Sequence, residues 1–217
     1  MRALRNLAIF LVVLLGLGVA LDVGSRLLLQ SRVESEIEGA DRQIDVGEVE
    51  AEIGSFPFLT GLAARGEVNH LSLRLEDLVT PGVTFAVFEL TVDGLTFDRT
   101  VLFNAQVQVQ QIDQASVKAE ITDAAASEAV GVPVAFTPDG ATVTVAGQSR
   151  PATVAVDGNG DLALSAEGVG QLTIPLSESE YFACSPELAT RQGKLVIRCT
   201  TPRIPPALRP YLGGGVG

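Results

Sequence analysis

The sequence has little of what metal and nucleic-acid sites need: one histidine, two cysteines, two lysines and no tryptophan in 217 residues. The single His70 cannot form a multi-histidine zinc site or pair with a second imidazole. There are 15 basic residues and 26 acidic ones, so the formal charge is −11. Because nucleic-acid binding requires clustered Lys and Arg to neutralise phosphates, the composition argues against a nucleic-acid partner.

Motifs for enzymatic chemistry are also missing from the sequence. It has no glycine-rich phosphate loop, zinc-type cysteine spacing or nucleophile-elbow motif. The string at 157–161 matches the first three ligand positions of a calcium loop, but Leu162 stands where that loop needs glycine, which favours a hairpin turn. His70 has no nearby Ser or Cys nucleophile. We therefore predict no enzymatic activity, no metal site and no cofactor.

The N-terminal segment has the pattern of an export signal. Arg2 and Arg5 precede an uncharged apolar run, 7–21. As a helix this run spans about 22 Å, which is shorter than the roughly 30 Å hydrocarbon core of a bilayer. A cleaved signal peptide and an uncleaved anchor both fit, since residues 18–20 provide a small-x-small cleavage site. In either case the sequence predicts that everything after residue 21 lies outside the cytoplasmic membrane.

The predicted export of the chain indicates that its two cysteines form a disulfide. An oxidising environment favours pairing of Cys184 with Cys199, and the turn residues Gln192 and Gly193 between them predict a hairpin-like unit. The alternative, a redox-active pair, is disfavoured because the spacing is not that of a CxxC motif.

Most of the remaining chain has strand periodicity. Residues 22–38 have the apolar stripe of an amphipathic helix, and alternation then begins near Ile44. In 83–97, strict alternation would place Val83 and Phe85 on one face but Phe88 and Leu90 on the other. The pattern therefore predicts a strand that is apolar on both faces and lies between two apolar layers.

A second set of strands follows a short predicted helix at 123–130, with Thr122 as its N-cap and Gly131 at its end. The later strands alternate with turn residues in the pattern of a hairpin meander. No long linker interrupts the chain. We therefore predict a single domain over 22–212, preceded by the signal or anchor at 1–21 and followed by a flexible tail at 213–217.

Phenylalanine is concentrated in one part of the chain, with six of the nine residues between positions 56 and 103. Core packing explains such a cluster, and so does a groove for acyl chains or a segment that dips into a membrane. The candidate lipid contacts are Phe56, Phe58, Leu59, Phe85, Phe88, Phe97 and Phe103.

The order of several short strings resembles the LmeA family of actinobacterial envelope proteins. The strings are SFPFLT at 55–60, LEDL at 75–78, the VDGL turn at 92–95 and the helix ITDAAASEAV at 121–130. The resemblance covers nearly all of 25–200. It implies phospholipid binding and an architecture similar to the tubular lipid-binding (TULIP) proteins, and it brings no catalytic residues.

Residue patterns and resemblance together predict an α+β fold: a long curved antiparallel sheet wrapped around a long N-terminal amphipathic helix. The expected function is an exported monomer at the outer face of the cytoplasmic membrane that holds phospholipid in an apolar groove to carry or sense it. The alternative is a structural envelope protein with a closed core and a protein partner. A third class, a hydrolase or transferase acting on envelope lipids, would need carboxylates that converge in the groove.

Overall fold

The computed structural model describes Gly24 and residues 47–54, 65–97, 109–176, 182 and 184–203. Within these ranges the chain forms twelve β-strands and one short helix. The elements in chain order are β1 (Glu48–Ile53), β2 (Glu67–Thr80), β3 (Val83–Phe97), β4 (Val109–Gln111), β5 (Gln114–Thr122), α1 (Asp123–Val130), β6 (Val134–Thr137), β7 (Gly140–Val145), β8 (Gln148–Val156), β9 (Leu162–Ala166), β10 (Gly170–Ile174), β11 (Glu187–Arg191) and β12 (Lys194–Thr201).

The strands belong to two antiparallel sheets. The first has seven strands in the order β1-β2-β3-β5-β12-β11, with β4 also paired to β3. The second has five strands in the order β10-β9-β8-β7-β6, so its neighbours follow the chain as successive hairpins. The predicted meander is therefore present, but it forms a sheet of its own.

The predicted fold class is wrong. The described residues are mostly strand in two sheets rather than one curved sheet, and α1, of eight residues, is the one helix whose bounds lie among them. After α1 the chain starts a new set of hairpins, and the last two strands, β11 and β12, return to the first sheet, where β12 pairs with β5. Of the long helix predicted at 22–38, only Gly24 is described, and its backbone is helical; the rest of that range and the apolar run at 7–21 lie outside the described residues.

Helix α1 begins and ends where its capping residues predict. The Thr122 hydroxyl accepts a hydrogen bond from the backbone N–H of Ala125 at 3.2 Å. Gly131 ends the helix in the left-handed conformation, with φ of 72°, and its N–H donates to the carbonyl of Ser127. These bonds satisfy backbone groups that a helix end otherwise leaves unpaired.

The two sheets are joined at α1 by a small set of hydrogen bonds, one to a side chain and two between backbone groups. The Asp123 carboxylate accepts the N–H of Phe136 in β6 at 2.7 Å. Gly193, in the turn between β11 and β12, donates to the Phe136 carbonyl at 3.1 Å and accepts from the Asp123 N–H at 3.2 Å. The junction therefore links α1, β6 and the β11–β12 turn, and both sheets contribute to one hydrophobic core.

The β2–β3 hairpin contains a change of phase that the sequence periodicity conceals. Phe85 and Phe88 are both fully buried, and their ring centroids lie 6.3 Å apart. Residues three apart in a regular strand point to opposite faces, so the burial phase switches between them. On the paired strand β2, Asp77 has a φ of 51° and lies between the pairs Glu76–Val87 and Leu78–Phe85.

The prediction that β3 is apolar on both faces is therefore wrong. The buried side chains before and after the switch join the same core, while Glu89, on the other face, makes ion pairs at the surface. The switch keeps one side of the sheet apolar through both halves of the strand. The other side remains polar and partly exposed to solvent.

Candidate functional site

The inner face of the seven-stranded sheet, defined by its apolar rows, is the candidate site. Strand register aligns side chains from neighbouring strands into rows that cross the sheet. The middle row consists of Ala51, Leu73, Leu90, Val117 and Cys199. The flanking rows consist of Val49, Leu75, Phe88, Ala119, Ile197 and Leu188, and of Ile53, Leu71, Val92, Ala115 and Thr201. Thr201 is the one polar side chain in these three rows.

An aromatic cluster lies on this face. Phe182 contacts Phe85 with ring centroids 5.9 Å apart and Phe88 at 6.4 Å, both in edge-to-face geometry. Aromatic pairs favour such tilted arrangements because the positive ring edge meets the negative face. Phe182 is half-buried, so the cluster reaches from the core toward the surface.

The structure brings together two of the predicted lipid-contact residues and leaves the others undescribed. Phe85 and Phe88 lie in the aromatic cluster, where both are fully buried. Phe97 is the last residue of β3, but its side chain is outside the described part. The remaining candidates, Phe56, Phe58, Leu59 and Phe103, lie outside the described residues.

The inner face has two halves with different surroundings. Near the β2–β3 turn, Gly82 lies so close to the Pro175 ring that a Cβ there would overlap it, and α1 packs on β3 and β5. The second sheet packs mainly on β11 and β12. In contrast, β1 and β2 make no extensive contact with any described element of the second sheet. We call this part, with Ile53 on β1, Leu71 on β2 and the adjoining Val92 on β3, the far half of the inner face; Ile53 and Val92 are buried and Leu71 is partly buried.

The outer face of the same sheet carries a ladder of ion pairs. Glu89 on β3 accepts from Arg74 on β2 at 2.6 Å and from Lys118 on β5 at 3.1 Å. Glu120 accepts from Lys118 at 3.3 Å and from Lys194 on β12 at 2.7 Å. The ladder therefore alternates in sign across four neighbouring strands.

Contacts on this face shift the pKa values of two of its residues, Glu120 and Arg74. Burial opposes ionisation of Glu120, but hydrogen bonds and attraction from Lys194 and Lys118 outweigh it and lower its pKa below the ordinary 4.5. The pKa of Arg74 is raised, chiefly by its hydrogen bond to Glu76. Both effects favour the charged forms.

The rest of the outer face is polar. Register aligns the hydroxyl residues Ser72, Thr91, Ser116 and Thr200 in a row beside the ladder. Next to that row, His70 Nδ1 lies 2.7 Å from an Asp93 carboxylate oxygen, and its ring packs over Gly54. No described serine or cysteine side chain hydrogen-bonds this histidine.

A small open cleft of about 180 Å³ lies on this outer face, lined by Glu50, Glu52, Ser72, Arg74 and Glu89. The described residues contain no group of three or more His, Cys, Asp or Glu side chains arranged to hold a metal ion. At the calcium-like string, one Asp157 carboxylate oxygen accepts the backbone N–H groups of Asn159 and Asp161. That bonding is typical of a turn closed by its own aspartate.

Cys184 and Cys199 form a disulfide, as predicted, with their Cα atoms 5.9 Å apart. Cys199 belongs to the middle row of the inner face and is buried, whereas Cys184 precedes β11. The bond therefore fastens the chain before β11 onto the inner face. Such bonds are typical of proteins exported to an oxidising compartment.

The predicted lipid contacts do not include several residues of the inner face. Leu71, Leu73 and Leu75 are among those left out, although their regular alternation along β2 is sufficient to place them on one face. Strict alternation places Phe88 and Leu90 on the face opposite Phe85, which is wrong, because the phase switch in β3 leaves no mark in the periodicity. Phe182 is remote in sequence from the other aromatic residues, and only the fold brings it to them.

Fold and site define a class of protein: a disulfide-bonded β protein whose main sheet is apolar on one face and charged on the other. The chain belongs to the LmeA-like phospholipid-binding family, whose family model matches residues 20–216. The predicted family is thereby confirmed. No curated protein and no solved structure shows significant similarity to the chain. Among the described residues, no helix is both long and apolar enough to cross a membrane.

Proposed function

We propose that this protein is exported to the cell envelope and holds the acyl chains of phospholipid against the far half of the inner face. Family membership supports phospholipid binding. The observation that carries the proposal is the set of apolar rows that continues across β1, β2, β3 and β5, beyond the part on which the second sheet mainly packs. The protein carries or senses lipid and does no covalent chemistry.

The dimensions and energetics of the inner face suit this role. A strand of 15 residues such as β3 extends about 50 Å, long enough to run alongside an acyl chain. Each buried methylene contributes about 0.8 kcal/mol relative to water, but lipid in a bilayer already has this stabilisation. Transfer between bilayer and protein is then nearly neutral in free energy, so the protein can both load and release lipid.

The proposal includes the domain organisation and location. Residues 22–212 form the lipid-binding domain of a monomer at the outer face of the cytoplasmic membrane, and 213–217 form a flexible tail. Residues 1–21 act as a signal peptide or an anchor. The disulfide supports an oxidising compartment.

Native mass spectrometry and organic extraction of the purified full chain test lipid binding. The informative variant is Leu71→Lys, because Leu71 belongs to the far half and is only partly buried. Its control is Ser72→Lys, which adds the same charge one residue later, on the outer face. We expect about one phospholipid per chain in the wild type and in Ser72→Lys, and at least a tenfold loss in Leu71→Lys.

Circular dichroism verifies folding of each variant, and Leu71→Gln replaces Leu71→Lys where the lysine prevents folding. A lipid-free wild type would overturn the proposal and favour the structural protein with a closed core. Equal lipid content in the Leu71 and Ser72 variants would show that lipid binds elsewhere.

A further inference from the structure

Apolar side chains of β2 and β3 form a track along the inner face that leads from the far half to the aromatic cluster. Its six members pair across the two strands: Leu71 with Val92, Leu73 with Leu90, and Leu75 with Phe88. Four residues separate Val92 from Phe88, which is about 13 Å along an extended strand. We call these six side chains the β2–β3 track.

The two ends of the track differ in accessibility. On β2, exposure falls from Leu71, which is partly buried, through Leu73 at 7% to Leu75 at 2%. Phe88, which faces Leu75, is fully buried. The track is therefore most accessible beside Leu71 in the far half, and an acyl chain that enters there extends toward Phe88.

Phe182 lies at the buried end of the track. Its ring meets Phe88 edge to face with the centroids 6.4 Å apart, and it meets Phe85 in the same way at 5.9 Å. Phe85 and Phe88 are fully buried, whereas Phe182 is half-buried and lies between β10 and β11 rather than within a strand. Part of the Phe182 ring therefore stays outside the packed core.

Residues on both sides of Phe182 in the chain are fastened to the core. Two residues later, Cys184 is bonded to Cys199, which belongs to the middle row of the inner face. Six residues earlier, Leu176 is only 1% exposed. Edge-to-face contacts add to the stabilisation of an aromatic pair beyond the area it buries. An acyl chain that displaced the ring would have to break both of its aromatic contacts.

We propose that Phe182 forms the end of the acyl-chain site and limits the length of chain that the protein accepts. This inference rests on the proposed function and extends its site from the far half along the β2–β3 track. The observation that carries it is the half-buried ring standing directly on Phe88, where the track ends. The ligand group concerned is the hydrocarbon tail of the phospholipid.

A closed end makes binding depend sharply on chain length. A methylene that leaves a bilayer and contacts the track keeps apolar surroundings, so its transfer is nearly neutral in free energy. A methylene that extends past the ring meets water, which weakens binding by about fourfold. Each two-carbon step beyond the limit therefore reduces binding by about 16-fold. A track with an open end would show no such limit.

Competition among lipids of different length measures this limit. The purified full chain is incubated with vesicles that contain equal amounts of mono-unsaturated phospholipids, whose acyl chains rise from fourteen to twenty-two carbons in steps of two. Phosphatidylcholines and phosphatidylglycerols are used in separate series, so that chain length is the one variable within each series. Native mass spectrometry identifies each bound lipid by its mass and gives its share of the total.

Substitutions of Phe182 should move the limit in opposite directions. Phe182→Ala opens space for a few methylenes, so we expect the longest well-bound chain to gain about two to four carbons. Phe182→Trp enlarges the ring and should lower the limit. Circular dichroism verifies folding, and Phe182→Leu replaces Phe182→Ala where alanine prevents folding. As the control, Leu172→Ala truncates a partly buried side chain on β10 of the second sheet and should leave the limit unchanged.

Two results would overturn the proposal. An identical limit in the wild type and in both Phe182 variants would leave this ring the simpler role of covering Phe88. A shift of the same size in Leu172→Ala would attribute the limit to general loosening of the fold. The total amount of bound lipid is read from the same spectra. A wild type that binds no lipid in either series would refute the proposed function, whereas full loading with an unshifted limit would refute only the role of Phe182.

Discussion

The two faces of the seven-stranded sheet share the same strands and the same register, yet they are stabilised by different interactions. On the inner face, the row through Leu73, Leu90 and Val117 is almost fully buried. On the outer face, the adjacent row through Arg74, Glu89 and Lys118 alternates in charge and stays partly exposed. Adjacent residues of each strand therefore lie in different environments, because successive side chains point to opposite faces of the sheet.

This difference indicates which face contributes more to the stability of the fold. Burying a leucine or valine side chain contributes about 1.5–3 kcal/mol relative to leaving it exposed. A solvent-exposed ion pair contributes about 0–1 kcal/mol, because water screens it and ordering long side chains costs entropy. The inner face therefore supplies most of the stability, while the outer face favours the correct register and solubility.

The strongest test of this comparison truncates one residue on each face of β3. Phe88→Ala removes a fully buried ring from the aromatic cluster, and we expect it to lower the free energy of unfolding by about 3–5 kcal/mol. Thr91→Ala, on the outer face of the same strand, should change it by less than about 0.5 kcal/mol. Urea denaturation measures both. Similar losses would show that the faces do not differ as proposed.

Removing the disulfide tests how firmly the chain before β11 is held on the inner face. The bond closes a loop with a sequence separation of 15, so Cys184→Ala with Cys199→Ala should destabilise the protein by roughly 3 kcal/mol. Denaturation with and without reductant gives the same comparison in the wild type. If reductant also destabilises the double variant, the loss of stability in the reduced wild type does not come from this disulfide.

The smallest effect is expected on the outer face, where it depends on pH. The pKa of Glu120 is lowered in the folded protein, so its contribution is present above the ordinary 4.5 and is lost as pH falls through the folded value. Glu120→Gln should therefore cost about 1 kcal/mol near neutral pH and progressively less below about pH 4.5.

Urea denaturation across pH measures this difference between wild type and variant. Glu167→Gln is the control, because Glu167 is exposed and makes no ion pair with any described residue. A cost of Glu120→Gln that stays constant down to pH 2 would mean that the carboxylate's charge is not what stabilises the ladder.

Local sequence signals predicted much of the secondary structure. The N-cap Thr122 and the C-cap Gly131 bound α1 in the structure as they do in the sequence pattern. The alternation of Leu71, Leu73 and Leu75 likewise gives the inner side of β2. These signals succeed because capping and side-chain alternation depend on residues close in the chain.

The candidate site was less predictable. Phe85 and Phe88 are candidates on composition, but the phase switch that unites them coincides with an unusual backbone conformation at Asp77 on the neighbouring strand. Phe182 and Cys199 reach the inner face through the pairing of β12 with β5, which lie more than 70 residues apart in the chain. Periodicity within one strand carries no information about either event.

The sequence by itself determined the strand-rich character, the caps of α1, the cysteine pairing and the membership of a phospholipid-binding family. Only the tertiary structure decided that the strands divide into two sheets and that β12 pairs with β5. It also decided that Arg191 faces Lys194 across the sheet and that Arg198 lies between Lys118 and Glu187. The physical reason is range: alternation and capping are local, whereas strand partners are selected by how the assembled sheets bury their apolar faces.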